Sequence, residues 1–409
     1  MQFYQTMRSL VLIAVIAFPA MVCADDIGQW QDLAAIPNVL GLGGPIVGTS
    51  HNALIVAGGA NFPDGPPWPR GDSPAGTKVW HDRIYALDAV DGQWADAGRL
   101  PYPLAYAAAV STSEGVYVLG GETFQGSNRP TAEVRLLTWD ADTRQVMVIE
   151  NALPPLPRPS QYHQAAMIDG VLYVAASHAN QNPPRRLDSQ SLWSLDLHQP
   201  AAQRCWIELE PWPGPPREKM SLAVQYVADE QDVSADKQDV SADKQDAAAD
   251  EEDVASPCLF LFSGENWYRD AAGQPDLEKY QTFTDAYRYR PQTNQWTRIA
   301  DLPVVPEVGP LPRPAVAAAA IAVDRSRVLV FSGADGRFFH LPVEQRPPFS
   351  AVVLEYHTGR DAWSIAGQMP LAVVTTSAVR WNRRIVIPSG EAQPGVRTDR
   401  VQSLLLRPL

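Results

Sequence analysis

The amino-acid sequence predicts an all-β protein, a six-bladed β-propeller, on three grounds: a turn-rich composition, a repeated segment, and two chain ends that complement each other. The chain has 409 residues, of which 45% are hydrophobic, with 37 prolines and 27 glycines. This apolar fraction is enough for a large core, and this much proline and glycine favours short strands joined by turns over long helices.

A short pattern recurs six times along the chain. In five copies a tryptophan precedes an apolar residue and a proline by six and seven residues, and in the sixth copy Met147 stands in the tryptophan position. The five tryptophans are Trp30, Trp94, Trp206, Trp296 and Trp363. With one acidic insertion set aside, the copies lie roughly 50 to 70 residues apart, which suits four-stranded blades around an axis. We expect the tryptophans to pack between blades.

Between consecutive copies lies an apolar strand that ends in small residues. These strands read ALIVAGG to Gly59, GVYVLGG to Gly121, VLYVAAS to Ser177, LFLFSG to Gly264, VLVFSG to Gly333 and IVIPSG to Gly390. Small residues that end the second strand, with an aromatic residue in the fourth, resemble Kelch repeats, although the usual Gly-Gly pair is intact in only two copies. The sequence therefore predicts six blades of the Kelch type.

The two ends of the chain predict how the propeller closes. The segment GQWQDLAAIP at 28–37 has the pattern of an outermost strand with no blade before it, whereas the last repeat, ending DRVQSLLLRPL, lacks that strand. We expect the N-terminal strand to complete the sixth blade, because this pairing removes an open sheet edge.

Residues 1–24 have the features of a cleaved signal peptide: Arg8, then an apolar run too short to span a bilayer comfortably, then small residues ending at Ala24. We expect residues 25–409 to form one propeller domain in the periplasm or outside the cell, with no membrane span. Lipidation at Cys23 is the alternative. The remaining Cys205 and Cys258 either pair or stay as separate buried thiols.

The net charge of −13 is concentrated in one segment. Residues 228–256 contain eleven Asp or Glu and two Lys, and QDVSADK occurs there twice in tandem, at 231–237 and 238–244. A polar, repetitive segment buries too little apolar surface to offset its ordering entropy, so we expect a disordered insertion in blade 4. The rest of the chain has no basic patch, which argues against nucleic acid as a partner.

Strand direction predicts which loops meet. Strands alternate in direction within a blade, so the loop after each second strand and the connection from each fourth strand emerge on one face, opposite the acidic insertion. The loops after second strands carry Asn61, Glu122, Glu265 and Glu391, and the connecting segments carry Arg158, Arg217 and Arg313. We expect these groups to surround one channel mouth and to bind a substrate there.

Glu391 and Arg397 are the strongest candidates, in the segment SGEAQPGVRTD at 389–399. The turn at Pro394-Gly395 brings the two residues near each other. A carboxylate beside an apolar channel can act as a general base or acid, and a guanidinium can hold a planar carboxylate through two hydrogen bonds. The alternative is a loop salt bridge without a chemical role.

Other candidates keep two interpretations each. Glu122 and Glu265 are either second proton carriers or hydrogen-bond acceptors that line the channel. Asn61 either contacts ligand hydroxyls or forms a turn, and Tyr106, in AYAAAV, presents its hydroxyl to the channel or packs. His163 and His178 stand on different elements without close spacing, so no metal site is predicted.

The segment that holds Glu391 and Arg397 is similar to the signature of the N-acetylneuraminate epimerase family, the bacterial sialic acid mutarotases, which are secreted six-bladed Kelch propellers. Further motifs agree: ALIVAGGANFP at 53–63, DRIYALD at 82–88, QWADAGRLP at 93–101, LAYAAAV at 104–110 and VYVLGGET at 116–123. The resemblance covers residues 28–125 and 380–405. In the family the Glu-x5-Arg segment precedes these motifs and here it follows them, so the chain resembles a cyclically permuted member.

The resemblance implies an isomerase that equilibrates the α and β anomers of sialic acid by opening and reclosing the hemiketal ring. It implies that Glu391 is the general acid or base and that Arg397 binds the sugar carboxylate or stabilises the charge that develops near it. It requires no metal or organic cofactor. The middle blades match the family less visibly, so another keto- or uronic acid sugar stays open as the substrate. The alternative function is a non-catalytic Kelch propeller that binds a glycan or a protein partner.

Overall fold

The computed structural model describes residues 27–69, 71, 73–124, 128–180, 185–228, 255–307 and 309–407. The predicted signal peptide at 1–24 and all but the ends of the predicted disordered insertion at 228–256 lie outside the described residues. Within them the protein is all-β, as predicted, and the only helices described there are the short 3-10 turns Ala201–Gln203, Gly336–Phe338 and Val343–Gln345. No helix of this described part has the length and apolar character to cross a membrane.

Most strands belong to six antiparallel sheets. We number the strands of each sheet in the order given below, so that Gly28–Leu33 is the fourth strand of sheet 6, and we number the sheets by the position of their first strands in the chain. Sheet 1 contains Ile46–Ser50, Ala53–Ala57, Arg83–Leu87 and Ala95–Arg99, and sheet 2 contains Ala108–Ser111, Val116–Leu119, Val134–Asp140 and Gln145–Ile149. Sheet 3 contains Gln164–Ile168, Val171–Ala179, Arg185–Asp196 and Ile207–Leu209, and sheet 4 contains Ser221–Ala228, Ala255–Phe262, Ala286–Arg290 and Gln295–Ile299. Sheet 5 contains Ala319–Ala322, Arg327–Phe331, Val352–His357 and Ala362–Gln368, and sheet 6 contains Val379–Trp381, Arg384–Pro388, Val401–Leu406 and Gly28–Leu33.

Short strands extend from these sheets toward one end of the molecule. They are Ala60–Asn61 with Val79–Trp80, Leu104–Ala105 with Glu122–Phe124 and Asn128–Pro130, Glu265–Asn266 with Gln281–Thr282, Tyr268–Arg269 beside the start of Arg185–Asp196, and Glu391–Gln393 with Val396–Arg397. All but Leu104–Ala105, which precedes the first strand of sheet 2, follow the second strand of a sheet in chain order, and together they build the loops from which the candidate site is made.

Sheet 6 joins the two ends of the chain. Gly28–Leu33 pairs antiparallel with Val401–Leu406, from Gly28 opposite Leu406 to Leu33 opposite Val401. The Ser389 hydroxyl reinforces this junction, because it accepts the Leu42 N–H at 2.7 Å and lies 2.6 Å from the Thr398 carbonyl oxygen.

Six backbone hydrogen bonds form a closed ring where the first strands of the sheets begin. Each ring residue donates its N–H to the carbonyl oxygen of the ring residue in the preceding sheet at 2.7 to 3.0 Å, and the sixth bond returns to the first residue. The ring residues are Gly44, Tyr106, Tyr162, Lys219, Ala317 and Thr375. All six have φ between 53° and 61°, a left-handed conformation that non-glycine residues rarely adopt. The ring holds five of them there against that cost.

Most of the core lies in six apolar clusters, each packed between two consecutive sheets. One of these clusters joins sheet 6 to sheet 1 through residues such as Val386, Trp381, Val47 and Val56. The other five join sheets 1 and 2, 2 and 3, 3 and 4, 4 and 5, and 5 and 6. Every sheet is therefore covered on both faces by its neighbours.

Four of the repeated tryptophans link one sheet to the preceding one. Their indole N–H groups donate to backbone oxygens just beyond the fourth strand of that sheet. The bonds run from Trp94 to Ala34, Trp206 to Pro154, Trp296 to Glu210 and Trp363 to Ala300, at 2.7 to 2.9 Å. Trp30 instead packs edge-on against Phe331, and Met147, which replaces the tryptophan in sheet 2, is 58% exposed. The repeated tryptophans thus pack between neighbouring sheets, as expected.

The small-residue pairs end the second strands by a sharp change of direction. In five sheets the first member of the pair has φ of 56° to 62° and the second, always glycine, has φ of 85° to 114°. Only glycine tolerates the second conformation. In sheet 3 the pair is Ala176-Ser177, and there the strand continues without the turn to Ala179. Cys205 and Cys258 are both free, the first exposed and the second buried.

Candidate active site

The residues that follow the five glycine turns lie beside the ring. Each is bridged by backbone hydrogen bonds to the residue that precedes a ring residue: Ala60 to Gly43, Glu122 to Ala105, Glu265 to Glu218, Ala334 to Val316 and Glu391 to Val374. Glu122, Glu265 and Glu391 therefore occupy equivalent positions in sheets 2, 4 and 6. The structure brings together three glutamates that the sequence separates by more than a hundred residues each, and it does so at the mouth of the ring.

Glu391 and Arg397 face each other across the hairpin formed by Glu391–Gln393 and Val396–Arg397. Arg397 Nη1 lies 3.0 Å from Glu391 Oε1, and the same oxygen accepts the Gly395 N–H at 2.7 Å. The Pro394-Gly395 turn thus positions the carboxylate as well as the guanidinium. The side chain of Glu391 is 18% exposed and that of Arg397 is 6% exposed. The carboxylate is the more accessible member of the pair.

Arg397 is held in a narrow, largely apolar slot. Its guanidinium lies 5.1 Å from the ring of Phe62, and a Cβ built on Gly43 would stand 2.4 Å from its Nε. Burial opposes its charge, but the Glu391 carboxylate together with the Tyr106 and Tyr162 hydroxyls outweighs burial and raises the pKa of Arg397. Nε and Nη1 make no hydrogen bond to the described residues, since the contact with Glu391 is an ion pair without hydrogen-bond alignment. Two buried guanidinium nitrogens therefore lack a hydrogen-bond partner among the described residues.

Glu122 is the carboxylate of a second group at the mouth. It is 3% exposed, lies 3.6 Å from Lys78 Nζ and accepts the Tyr162 hydroxyl at 3.4 Å. Lys78 Nζ is also 4.3 Å from the centre of the Tyr106 ring, which packs at a tilt against the Tyr162 ring with 4.3 Å between the ring centres. Burial raises the pKa of Glu122, and it raises that of Tyr162 as well. This group connects sheets 1, 2 and 3.

A third group is centred on Lys219, a ring residue. Its Nζ bonds to Glu265 and lies 3.8 Å from Glu218, and the Tyr280 hydroxyl bonds to the other oxygen of Glu265. Burial opposes the charge of Lys219, but the two carboxylates outweigh it and raise its pKa. Burial raises the pKa of Glu218 to about 7. Lys219 Nζ also lies 5.1 Å from the Tyr162 ring, so the second and third groups touch.

Three of the charged side chains in these groups are partly open to solvent, and the other charged side chains are their ion-pair or hydrogen-bond partners. The side chains of Lys219, Lys78 and Glu391 are 27%, 20% and 18% exposed. A ligand at the mouth would thus meet two ammonium groups and one carboxylate, with tyrosine rings between them. Such a surface suits a polar molecule that bears a negative charge.

The sequence predicts Asn61, Arg158, Arg217 and Arg313 at the channel mouth, but the structure does not place their side chains in this cluster. Asn61 is 1% exposed, and its amide bonds to the Gly41 carbonyl oxygen and to His81. Arg217 is fully buried and holds Asp285 through two bonds of 2.5 and 2.8 Å. Arg313 is also buried and bonds to the Ser332 and Gly333 carbonyl oxygens, whereas Arg158 is exposed and contacts Ser189. The guanidinium groups of Arg217 and Arg313 are used inside their own sheets.

The two histidines considered from the sequence are buried beside each other. Burial and the neighbouring His178 lower the pKa of His163 to about 3, and burial and Arg158 lower that of His178 to about 4. Both rings are therefore neutral near neutral pH. Among the described residues no three His, Cys, Asp or Glu side chains come together as metal ligands.

Sequence reasoning missed five residues of the cluster: Lys78, Tyr162, Glu218, Lys219 and Tyr280. Two of them carried a signal. Tyr162 and Lys219 precede the first strands of their sheets, as Tyr106 does in sheet 2, so aligning that position in all repeats would have found them. Lys78 and Tyr280 lie in long loops after second strands, where the repeat gives no register.

Comparison with known proteins finds a likeness over part of the chain. Residues 20–146 match the family model described as N-acetylneuraminate epimerase. The N-acetylneuraminate epimerase of Yersinia pestis (strain Pestoides F) is 43% identical over 105 residues, which cover 24% of this chain and 25% of the relative. That of Brucella suis (strain ATCC 23445 / NCTC 10510) is 36% identical over 136 residues, 30% of this chain and 33% of the relative. The chain thus spans a quarter to a third of the length of these curated relatives.

A solved structure entitled "Structure of YjhT" aligns with 90% of this chain and 95% of its own length, with a TM-score of 0.56 and 13% identity. At that identity the likeness concerns the fold alone. The resemblance predicted from the sequence is confirmed for the N-terminal third. The matched region includes Asn61, Tyr106 and Glu122 but ends before Glu391 and Arg397, so the roles of those two residues, and the cyclic permutation, stay predictions.

Proposed function

We propose that the protein is a carbohydrate mutarotase that interconverts the anomers of N-acetylneuraminate or a related acidic sugar. The observation that carries the proposal is the Glu391–Arg397 pair beside the ring, in which an accessible carboxylate lies next to a guanidinium whose buried Nε and Nη1 lack hydrogen-bond partners. The N-terminal match to N-acetylneuraminate epimerases supports the same substrate class. We further propose that the six sheets are the blades of one closed propeller, which the ring of backbone bonds supports, and that the protein acts in the periplasm or outside the cell.

In this proposal the Arg397 guanidinium binds the sugar carboxylate. Its Nε and Nη1 are buried without a described hydrogen-bond partner, so a carboxylate that reaches them, after a small displacement of the residues that cover them, gains charge-assisted bonds and displaces no existing hydrogen bond at those atoms. Phe62 and Gly43 hold the planar group in place, which reduces the entropy lost on binding. The partly exposed ammonium groups of Lys78 and Lys219 add to the attraction for an anion.

Glu391 then serves as the base for the anomeric hydroxyl. Removing that proton lets the bond between the anomeric carbon and the ring oxygen break, and the open-chain ketone recloses on either face. The Gly395 N–H keeps the carboxylate oriented toward the mouth. General acid or base assistance of this kind contributes roughly 10² to 10⁴ in rate, which suits a reaction that already proceeds without an enzyme.

The test is to follow freshly dissolved N-acetylneuraminate by proton NMR or polarimetry with and without the purified protein. The proposal expects the relaxation toward the equilibrium anomer mixture to accelerate in proportion to protein concentration, for acidic sugars and not for neutral ones. Binding of an acidic sugar without acceleration would favour a non-catalytic glycan-binding propeller. A screen of keto- and uronic acid sugars in the same assay would identify the substrate.

A further inference from the structure

The charged groups at the mouth are not balanced. Three carboxylates each have a close cation: Glu391 has Arg397 at 3.0 Å, Glu122 has Lys78 at 3.6 Å and Glu265 is hydrogen-bonded to Lys219. Glu218 is the fourth carboxylate. Its nearest described cation is again Lys219, at 3.8 Å, which is already bonded to Glu265. With every group ionised, the cluster carries one negative charge in excess, and Glu218 is the acid without a cation of its own.

Glu218 is enclosed by the groups that would sense its charge. It is 7% exposed, its backbone is bridged to Glu265, and the nearby Trp267 indole favours the ionised form of its carboxylate. The titratable groups that face it are Lys219 on its own segment, Glu265 and Tyr280 in sheet 4, Glu122 from sheet 2, and Tyr162 at the ring. Two further carboxylates and only one cation therefore act on it.

We propose that Glu218 is the second proton carrier of the site: it holds a proton while an acidic sugar is bound and donates that proton to the ring oxygen as the ring opens. This inference rests on the proposed function and adds the residue that completes it. Glu391, in the hairpin beside sheet 6, then takes one proton, and Glu218, beside sheet 4, donates the other.

Electrostatics favours this assignment over the other two glutamates. An acidic sugar brings a further negative charge into a buried cluster that already has one in excess, and like charges raise each other's proton affinity. The proton goes to the carboxylate that is least stabilised as an anion. Glu265 bonds to both Lys219 and Tyr280, and Glu122 is held by Lys78 and Tyr162. The raised pKa of Glu218, about 7 through burial, agrees with this choice.

The proton transfers balance over the reaction. Glu391 takes the proton of the anomeric hydroxyl, whose electrons form the carbonyl as the bond from the anomeric carbon to the ring oxygen breaks. The ring oxygen keeps the electron pair of that bond and takes the proton of Glu218. After the carbonyl turns its other face, the same hydroxyl returns its proton to Glu218 while Glu391 protonates the carbonyl oxygen. The site is restored without any other reactant.

Calorimetry with N-acetylneuraminate at about pH 8, in buffers of different ionisation enthalpy, tests the proposal directly. We expect wild type to take up about one proton on binding, because Glu218 is mostly ionised in the free protein at that pH and protonated in the complex. Glu218→Gln should bind without proton uptake, and its anomer exchange should fall by roughly 10² to 10⁴. Glu391→Gln should lose exchange but keep the uptake. Glu355→Gln, a control in an ion pair with Arg327 in sheet 5, should leave both unchanged.

A second variant avoids substitution of Glu218 itself. Trp267→Phe removes a donor that stabilises the Glu218 anion, so the decline of exchange with rising pH should move to higher pH. If wild type exchanges anomers, while Glu218→Gln exchanges at the wild-type rate with unchanged uptake, the inference is overturned and the proposed function stands. If Glu218→Gln fails to fold, an unchanged pH profile in Trp267→Phe overturns it. If wild type exchanges no acidic sugar, the proposed function fails first, and the inference fails with it.

Discussion

Glu391 and Arg397 are register partners in one two-stranded hairpin, and their charged groups lie 3.0 Å apart without the alignment of a hydrogen bond. An ion pair of this kind holds its partners near each other and leaves donor hydrogens for a third group. The Gly395 N–H satisfies the oxygen that Arg397 approaches. The Glu391 carboxylate is therefore the accessible member of the pair, and the Arg397 guanidinium is buried beside it with two nitrogens unpaired.

Glu391→Gln separates a catalytic carboxylate from a structural one. The amide oxygen can still accept the Gly395 N–H, so we expect the melting temperature to change little, while anomer exchange falls by roughly 10² to 10⁴ because the titratable group is gone. NMR exchange rates and circular dichroism measure the two effects. A folded variant that exchanges at the wild-type rate but has lost stability would mean that Glu391 is only a salt-bridge partner.

Gly43→Ala tests the slot that holds Arg397. The new methyl group would lie 2.4 Å from Arg397 Nε, and Gly43 has no left-handed φ, so alanine is compatible with its backbone but displaces the guanidinium. We expect binding of acidic sugars, measured by calorimetry, to weaken by about 10- to 100-fold, the worth of charge-assisted hydrogen bonds of about 1.5–3 kcal/mol. Gly359→Ala, at an exposed position where a Cβ makes only ordinary contacts, is the matched control. Equal affinities in the two variants would remove Arg397 from the binding site.

Ser389→Ala tests the junction of the chain ends. The hydroxyl satisfies the buried Leu42 N–H, 347 residues away in the chain, and donates to the Thr398 carbonyl oxygen, nine residues away. Removing it leaves a buried donor unsatisfied, which should lower the free energy of unfolding by about 1–3 kcal/mol. Urea denaturation provides the measurement. Ser364→Ala, at an exposed position in sheet 5, should stay within about 0.5 kcal/mol of wild type, and a similar result for Ser389→Ala would contradict the role of this junction.

Stability should depend on pH through Glu218. Burial raises its pKa from 4.5 to about 7, so the folded protein binds this proton more tightly than the unfolded chain does. The resulting stabilisation is fully present below pH 4.5 and is lost as the pH rises through about 7. The side chain in Glu218→Gln cannot ionise. As the pH rises over this range, the free energy of unfolding of wild type should therefore fall relative to that of the variant by up to about 3 kcal/mol.

Denaturation of both proteins at a series of pH values measures that difference. Lowering of the His163 pKa to about 3 gives a slope of the opposite sign between pH 3 and 6.5, because the folded protein binds that proton more weakly. The histidine is common to both proteins, so its effect cancels in the comparison. A difference that stays constant from pH 4.5 to 8 would mean that Glu218 titrates as an ordinary exposed carboxyl group.

Much of the fold and part of the site could be predicted because they depend on local patterns. A glycine after an apolar strand indicates a sharp turn whatever surrounds it, so the equivalent positions of Glu122, Glu265 and Glu391 followed from the repeat. The arginines were different. Arg217 and Arg313 do come from connecting segments, but buried carbonyl oxygens and Asp285 bind their guanidinium groups. The sequence places a residue on a segment and does not give the direction of its side chain.

What the sequence determined by itself was the all-β class, the six-fold repeat, the segments at the mouth and the pair Glu391 and Arg397, since each is written within a few neighbouring residues. Only the tertiary structure decided which charges meet. Lys219 joins Glu265 and Glu218, and Lys78 joins Glu122, because the ring of backbone bonds brings separate sheets together at one end. Long-range contacts of this kind depend on how the whole chain folds and on which neighbour reaches each charge first, and the surplus acid at Glu218 exists only once all those pairs have formed.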